Sequence, residues 1–571
     1  MTGPTRLILL AILLALALVA FPHTTRNFES SNELSSLYLS TAIIAHRSLS
    51  INQIIQQWGD IIDKSRRSEK FYSDKAPGAA LLAIIPATIL KGFSDIAATS
   101  FTRDQALIFA RMIAVIFPCL LFLLFIPEAL RPFSKGSDMT IALTLAYSLG
   151  TPAWVYSTLL YGHQLSAAAL FVSYALLRQD GAGACPKGEH ASPLHHLGTG
   201  CLLGLAVALD YSAGWGAACI LVYAIRGGAL KKGWFWCGLF LPVALLCAYH
   251  WAAFGGPLKT GYSFKVYSRD AAVHAQGILG IGLPSLSVLK GILFSLKRGL
   301  FFYCPWLLFA IPGFVRMARR GDIRSDFVLC LCVVLGHTLL IGSFRDWTAG
   351  WSYGPRHLVP MLPFLLPPLV IEMEAAGRVE RLCLAALIGI SIVTTALAVA
   401  TFPHVPVELD NPLTDLFLPL LKAGDVGPLI GPVGHVAALV PIILIVTASV
   451  VWVSVGMGKR YGIGWVTGFA AAALIAAGAW IYGAENMPRQ EGPEKNFAMS
   501  QVYSAVGDYK NATEELIALT TPSQTLDLRL YATFTLWKMA ENQNNPESAL
   551  IWRRQYLDLL NQRSLRLPMR R

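Results

Sequence analysis

Long apolar runs alternate with short polar segments along most of the chain. A run of about 20 apolar residues is long enough to cross a bilayer as a helix. The pattern therefore predicts an all-α polytopic membrane protein with about 13 transmembrane helices. The first is Leu7–Phe21, and the others lie near 104–126, 139–159, 162–178, 198–210, 213–227, 233–253, 299–316, 326–343, 356–373, 381–402, 435–456 and 462–482.

The first apolar run has the basic flank of a signal peptide, since Arg6 precedes it. However, Leu18-Val19-Ala20-Phe21-Pro22 lacks the small residues of a cleavage site. We therefore expect a retained anchor with its N-terminus in the cytoplasm. The polar segment that follows, residues 23–103, is then the first external loop.

A shorter apolar run, Ala79–Leu90, follows the charged part of this loop and ends at Lys91. It offers about 12 residues where about 20 are needed to span, so we expect an interfacial or re-entrant helix. Most later basic loops then face the cytoplasm, as the positive-inside rule favours. If this helix spans, those loops move outside.

Composition supports the membrane assignment and changes how the charge is interpreted. Only 14% of the 571 residues are charged, whereas soluble domains carry about 25%. The formal net charge is +12, but most Lys and Arg residues lie in short loops between apolar runs, where they orient helices. We expect membrane lipid as a partner and no nucleic acid.

The ten cysteines lie mostly inside apolar runs, and only Cys185 falls in a clear loop. Buried cysteines of this kind behave as small apolar residues. Cys330-Leu331-Cys332 lacks the C-x-x-C spacing of zinc and redox sites. We predict neither a disulfide framework nor a cysteine metal cluster.

The chain changes character near residue 484. Residues 1–483 are predicted to form the membrane domain, and residues 484–571 a polar, helical, external tail. Within the tail, Ala498, Tyr503, Gly507-Asp508-Tyr509 and Ala512 have a spacing that resembles a tetratricopeptide helix pair. Such repeats often bind protein partners. The alternative is a plain helical cap on the membrane domain.

The first external loop concentrates charged side chains that can do chemistry, namely Glu33, Asp60, Asp63, Asp74 and Lys75. A carboxylate at the membrane surface can accept a proton from an acceptor hydroxyl. A second one can hold a divalent ion, and a cation can stabilise the phosphate of a leaving group. Any solvated loop carries charges, so composition alone does not make these residues a site.

Ordered motifs make the chain resemble a known family. The pattern Asn32-Glu33, Asp63 and Tyr72-Ser73-Asp74-Lys75-Ala76-Pro77-Gly78 is similar to the first external loop of bacterial GT-C integral membrane glycosyltransferases. That group includes protein O-mannosyltransferases and lipid A aminoarabinose transferases. Further motifs in the same order are Gly150–Trp154 with Tyr161-Gly162-His163, Phe254–Leu258 with Gly261-Tyr262, Arg298–Phe301 with Pro305, and Gly350–Arg356 with Pro360.

The resemblance implies a GT-C-like bundle in the bacterial inner membrane, with interfacial helices in the first loop. It implies transfer of a sugar from a polyprenyl-phosphate donor to an acceptor on the external face, with a first-loop carboxylate as base. It makes Glu33 the preferred base and Asp63 the second catalytic candidate. Asp63 is also the candidate ligand for a Mg²⁺ or Mn²⁺ ion, although no cofactor is certain.

Seven further residues are candidates for binding the substrate or its phosphate. Several have structural alternatives: a histidine in a turn is often a hydrogen-bonding residue, and an arginine at a helix start can anchor at lipid headgroups. Asp210 lies between two short apolar runs, where charges tend to be functional. The seven are Asp74, Lys75, His163, Asp210, Arg298, Arg356 and His357.

Two other functions compete with glycosyl transfer. A flippase for lipid-linked saccharides requires polar residues along a path through the membrane centre, whereas the candidates here cluster at one face. A non-enzymatic assembly factor would bind through the tail and would tolerate the loss of Glu33. Direct displacement at the anomeric carbon predicts inversion, and the sequence leaves the sugar and the acceptor open.

Overall fold

The computed structural model describes residues 3–19, 30–97, 100–181, 192–228, 232–267, 280–425, 435–485 and 492–566. This part of the chain is helical almost throughout, as the apolar runs predict. The exception is a two-stranded antiparallel hairpin in the first loop. Cys185 lies outside the described residues.

Eight helices of the described residues are long and apolar enough to cross a membrane. The chain is therefore an α-helical polytopic membrane protein. Three shorter apolar helices, Leu7–Val19, Pro193–Leu209 and Pro305–Ala318, accompany them. The eight are Gly78–Ile96, Arg103–Phe133, Gly233–Phe254, Gly321–Ile341, Arg356–Ala375, Arg378–Ala400, Val440–Gly458 and Ile463–Gly483.

Two predicted spans are broken in the structure. The run 139–159 consists of helices Ser137–Leu149 and Ala153–Tyr156, because Pro152 has no amide hydrogen and cannot continue the first helix. The run 299–316 is divided into Leu300–Tyr303, a 3₁₀ turn at Pro305–Phe309 and Ala310–Ala318. Predicted spans 162–178 and 213–227 correspond to Gly162–Gly181 and Gly214–Arg226.

The helical segment after the first loop is longer than the sequence indicated. It comprises Gly78–Leu82 and Ile84–Ala97, and so continues through Lys91. Its length alone therefore no longer argues against crossing. However, the Arg103 Nη1 donates a 3.2 Å hydrogen bond to the Trp58 carbonyl, so the chain lies beside the first loop again soon after this helix ends. That contact favours a helix that runs along the membrane surface.

The first loop folds into two helices and the hairpin. The helices are Ser31–His46 and Asn52–Trp58, and strands Lys64–Arg67 and Lys70–Ser73 pair with each other. The hairpin is also joined to a distant external segment. The Val266 amide donates to the Lys64 carbonyl at 3.2 Å, and the Ser65 hydroxyl donates to the Gly261 carbonyl at 2.6 Å. Two predicted external loops therefore form one body.

The tail contains four helices in two successive pairs. Gly507, with φ +86°, ends the first helix in the left-handed conformation that favours glycine, and Asp508 caps the second. The tetratricopeptide assignment stays a prediction. The tail helices are Pro493–Val506, Tyr509–Ala518, Leu526–Asn542 and Pro546–Arg566. Elsewhere in the described residues, the remaining short helices are Tyr211–Ala213, Gly261–Phe264, Leu286–Phe294, Leu413–Phe417, Leu418–Ala423 and Lys459–Tyr461.

Candidate functional site

A cavity of about 330 Å³ lies where the predicted external segments meet. Its volume is near the lower end of the range for small-molecule sites. Its wall combines apolar residues with a few charged ones. Five residues predicted from sequence contribute to it: Lys75, His163, Asp210, Arg356 and His357.

Lysines and carboxylates alternate at one end of the cavity. The Lys75 Nζ lies 3.1 Å from Asp63 Oδ2 and 3.4 Å from Asp74 Oδ1, and the Lys265 Nζ lies 3.3 Å from Asp74 Oδ2. Burial alone would lower the pKa of Lys75, but Asp63 and Asp74 outweigh it and raise that pKa, so the ammonium stays charged. We call Asp63, Asp74, Lys75 and Lys265 the lysine cluster.

Arg356 lies in the same cavity and has unused hydrogen-bonding capacity. Its guanidinium carbon is 5.4 Å from the centre of the Tyr161 ring, a cation–π distance. Within the described residues, its buried Nε has no hydrogen-bond partner. A buried guanidinium N–H without an acceptor is costly, so this group is suited to an anionic ligand.

Asp63 has an electrostatic setting that opposes metal binding. Burial would raise its pKa, but the charges of Lys75 and Lys265 outweigh burial and lower it. The Asp63 carboxylate is therefore ionised and already neutralised by ammonium groups. Such surroundings do not attract Mg²⁺ or Mn²⁺, and the geometry gives no support to Asp63 as a metal ligand.

One group of described residues does have the spacing of metal ligands, far from the cavity. The Asp180 carboxylate lies 3.2 Å from His195 Nε2 and 3.3 Å from His196 Nδ1, and Lys232 Nζ is 3.1 Å from it. Asp180 is near the end of the 20-residue helix that starts beside His163, so about 25 Å separates the two positions. The ammonium group of Lys232 already neutralises the charge of the Asp180 carboxylate.

His163 and Asp210 form a buried pair that also lines the cavity. The His163 Nδ1 lies 2.5 Å from Asp210 Oδ2. Asp210 Oδ1 accepts bonds from the Ser212 amide at 2.9 Å and the Ser212 hydroxyl at 2.8 Å. The His357 ring stands perpendicular to that of His163, with centroids 5.2 Å apart.

Glu33 lies outside the cavity wall and is fully buried. Its Oε1 accepts from Arg111 Nε at 2.8 Å and from the Leu160 amide at 2.6 Å, and its Oε2 accepts from Arg111 Nη2 at 2.6 Å. His404, whose pKa burial lowers to about 3, is a neutral neighbour at 3.9 Å. A carboxylate held in this way is poorly placed to act as the predicted base.

Arg298 is the other predicted residue that the structure separates from the cavity. Its side chain is completely buried. It donates to the carbonyls of Thr348 at 3.1 Å, Gly350 at 3.1 Å and Val405 at 2.9 Å. These bonds stabilise the loop before Arg356, and the predicted phosphate contact finds no support.

Sequence reasoning missed Lys265 and Arg111. Lys265 lies in an external segment that contains the Gly261-Tyr262 motif, so its proximity to that motif was an available signal. Arg111 is a single charge within a predicted span, and such charges almost always have partners. A π-helical turn, Arg111–Ile116, begins at this residue.

Comparison with known proteins yields distant structural likenesses. No protein-family model matches the chain, and no curated protein matches it significantly. The crystal structure of ArnT from Cupriavidus metallidurans bound to undecaprenyl phosphate is 11% identical, with a TM-score of 0.46 over 91% of this chain and 81% of that one. The apo ArnT structure is 14% identical, with a TM-score of 0.42 over 91% and 82%. Both TM-scores lie below 0.5, and the function proposed below depends on the cavity itself.

Proposed function

We propose that this protein transfers a sugar from a polyprenyl-phosphate donor to an acceptor at the external face of the membrane. The observation that carries the proposal is the buried Arg356 Nε without an acceptor, in a cavity that Lys75 and Lys265 also line. The motifs of the first loop agree with this assignment. The sugar and acceptor are left to experiment.

The cations of the cavity wall support a phosphodiester as ligand. Lys75 and Lys265 are paired with Asp63 and Asp74, and Asp210 and Asp346 add two further carboxylates to the wall, whereas the Nε of Arg356 has no acceptor among the described residues. A polyprenyl phosphate sugar has one phosphodiester and hence one negative charge for this guanidinium to bind. Arg356 can direct its N–H groups to the phosphate oxygens, and the lysines add point charges that stabilise the leaving group.

The position of these cations supports a donor with a lipid anchor. Lys75 lies three residues before the helix Gly78–Ile96, and Arg356 opens the candidate span Arg356–Ala375. Apolar side chains, among them Ile281, Leu340 and Phe344, complete the wall. A phosphate held where the candidate span Arg356–Ala375 and the surface helix after Lys75 both begin leaves its prenyl chain room to lie in the bilayer.

The first-loop carboxylates take supporting roles in this proposal. Glu33 joins Arg111 to the Leu160 backbone, and Asp63 positions the Lys75 ammonium. Neither is the best base in the site, since Glu33 has no access to the cavity and the neighbouring lysines lower the pKa of Asp63. The basic loops still favour an N-terminus in the cytoplasm and an external tail.

Binding of undecaprenyl phosphate to the purified full chain tests the proposal. We expect Arg356→Ala and Lys75→Ala each to weaken binding at least tenfold, because each removes a charge-assisted contact worth about 1.5–3 kcal/mol. Lys91→Ala is the matched control, because Lys91 is exposed and pairs with Asp95 on its own helix. Equal binding by the parent and both cavity variants would refute the assignment.

Transfer is measured separately, with a radiolabelled undecaprenyl-phosphate sugar and an envelope lipid extract as acceptor. The parent should move label to an extractable product and release lipid phosphate, while a flippase would move intact donor across a vesicle membrane. Label that crosses the membrane without changing its chemical form would contradict a transferase.

A further inference from the structure

The His163–Asp210 pair has a function beyond ligand binding. Both side chains are about nine-tenths buried, and both residues line the cavity. Asp210 is fixed by its two bonds from Ser212, so its second oxygen is aimed at His163 Nδ1. A carboxylate in this position orients an imidazole ring and selects its tautomer.

The backbone is built to bring these two residues together. Gly162 begins the helix that carries His163, and a Cβ at Gly162 would lie only 1.9 Å from the Leu209 carbonyl oxygen. Any side chain there would push the helix start away from the strand-like residue Asp210 (φ −152°, ψ 115°) that follows Leu209. The missing side chain thus allows the 2.5 Å contact.

The second ring nitrogen is available to a substrate. In the neutral ring, the Nδ1–H of His163 donates its hydrogen bond to the Asp210 carboxylate. The other nitrogen, Nε2, then carries a lone pair. Among the residues that the structure describes, Nε2 has no hydrogen-bond partner, whereas the ring lines the cavity. The Tyr161 ring contacts both groups, with its centroid 5.9 Å from that of His163 and 5.4 Å from the guanidinium carbon of Arg356, so the two side chains contact one ring and line the same cavity.

We propose that His163 is the general base that activates the acceptor, with Asp210 as its positioning residue. This inference rests on the proposed transferase function. His163 Nε2 takes the proton from an acceptor hydroxyl, and the acceptor oxygen forms a bond to the anomeric carbon of the sugar. The bond from that carbon to the phosphate oxygen breaks, and its electron pair leaves with the lipid phosphate. The proton passes from His163 to water after the product departs.

Several titratable groups face His163 and belong to any account of its pH dependence. Tyr156, Tyr161 and His357 lie against its ring, at centroid distances of 5.7, 5.9 and 5.2 Å. Asp210 contacts it directly, and Arg356 and His337 lie beyond this layer. Burial alone would raise the pKa of Asp210, but the charge of His163 when its ring is protonated, together with the hydrogen bonds from His163 and Ser212, outweighs burial and lowers that pKa.

Three variants of the full chain test the base. In His163→Gln and His163→Ala, we expect turnover to fall about 10²–10⁴-fold, the usual contribution of a general base, while binding of undecaprenyl phosphate changes less than threefold. Imidazole added to His163→Ala should restore part of the rate. His46→Gln is the matched control, because His46 is exposed at the end of the helix Ser31–His46.

Asp210→Asn separates positioning from simple structural support. The amide keeps an oxygen for Ser212 but presents an N–H to His163, which forces the proton onto Nε2 and removes the lone pair from the cavity. Turnover should fall about 10²–10⁴-fold with donor binding and thermal unfolding unchanged.

The acidic limb of the parent pH–rate profile should be absent in His163→Ala, because the titrating base is gone.

The outcomes distinguish the base from the wider function. If His163→Gln turns over at the parental rate, or loses donor binding in step with turnover, the base assignment is overturned while the transferase stands. If the parent neither binds undecaprenyl phosphate nor transfers sugar, the proposed function fails and the base with it. If a His163 variant unfolds, Asp210→Asn with parental turnover is the result that refutes the pair.

Discussion

Removal of Glu33 should lower the free energy of unfolding, while the turnover of the molecules that remain folded should change little. Glu33→Ala deletes three hydrogen bonds and leaves the Arg111 guanidinium buried without its counter-ion. Breaking a buried ion pair by removing one partner costs about 3–5 kcal/mol. The Leu160 amide, left without an acceptor, is part of that cost, since a buried unpaired donor costs about 1–3 kcal/mol. We therefore expect a loss of about 3–5 kcal/mol for the single variant.

A double-variant cycle identifies the pair as the cause. Glu33→Met with Arg111→Met replaces both charges by apolar side chains, which is often neutral for a buried pair. The double variant should recover the part of the loss that comes from the unpaired charge, whereas the cost of the Leu160 amide without an acceptor remains in Glu33→Met and in the double variant alike. Glu69→Ala is the control from the same loop: the Glu69 side chain is 92% exposed and pairs with the exposed Arg66, so its loss should cost at most about 1 kcal/mol.

The assay combines unfolding in detergent micelles with turnover per folded molecule. Reversible denaturation in sodium dodecyl sulfate gives the free-energy changes, and binding of undecaprenyl phosphate reports the folded fraction. The reasoning is refuted if Glu33→Ala is as stable as the parent and binds donor normally but does not turn over. That result would make Glu33 the base, as the sequence favoured, and the buried pair incidental.

Three further predictions follow from the cavity. Gly162→Ala must open its helix contact by about 1.5 Å, the difference between 1.9 Å and an ordinary contact of 3.4 Å, so turnover should fall about 10²-fold with undecaprenyl phosphate binding retained; parental turnover would argue against the tight approach. The pKa of Asp63 is lower in the folded protein than in the unfolded chain, where it is about 3.9. The ionised Asp63 carboxylate therefore contributes its full stabilisation of the fold above a pH of about 3.9, and this contribution is lost as the pH falls through the pKa of the folded protein. Asp63→Asn should therefore unfold more readily than the parent at pH 7 but show a smaller loss of stability in acid, and an equal loss in both proteins would contradict this. Deletion of 492–566 should leave undecaprenyl phosphate binding unchanged, since no described tail residue lines the cavity; lost binding in a folded truncation would favour the assembly-factor alternative.

The general architecture and half of the site are readable from sequence for physical reasons. Apolar length gives the spans, because backbone polar groups in lipid must be satisfied within a helix. Arg356 stands at the start of such a span and Lys75 just before a helix along the membrane surface, so both lie where charge meets the interface, and both line the cavity. The broken span at Pro152 was also marked by its own residues.

The sequence does not predict which residues the buried charged side chains contact. Glu33 and Arg111 are 78 residues apart, and nothing in the local pattern of either names the other. Arg298 looks like a phosphate ligand in sequence, yet backbone carbonyls from two distant loops take up its donors. The hairpin Lys64–Ser73 was missed because each strand is only four residues long and neither alternates apolar with polar residues: the first two residues of Lys64–Arg67 are buried and the last two are exposed.

Two segments that line the cavity pack against the same short stretch of backbone. A Cβ at Gly78 would lie 2.6 Å from Ala208 and Leu209 backbone atoms, and one at Gly162 would lie 1.9 Å from the Leu209 oxygen. Gly78 follows Lys75 by three residues, and Gly162 precedes His163 by one. The proposed phosphate-binding segment and the segment that carries the proposed base therefore both pack on the peptide just before Asp210. Since reacting groups must be held within about 0.5 Å of their productive geometry, we expect this shared contact to control the spacing between leaving group and base.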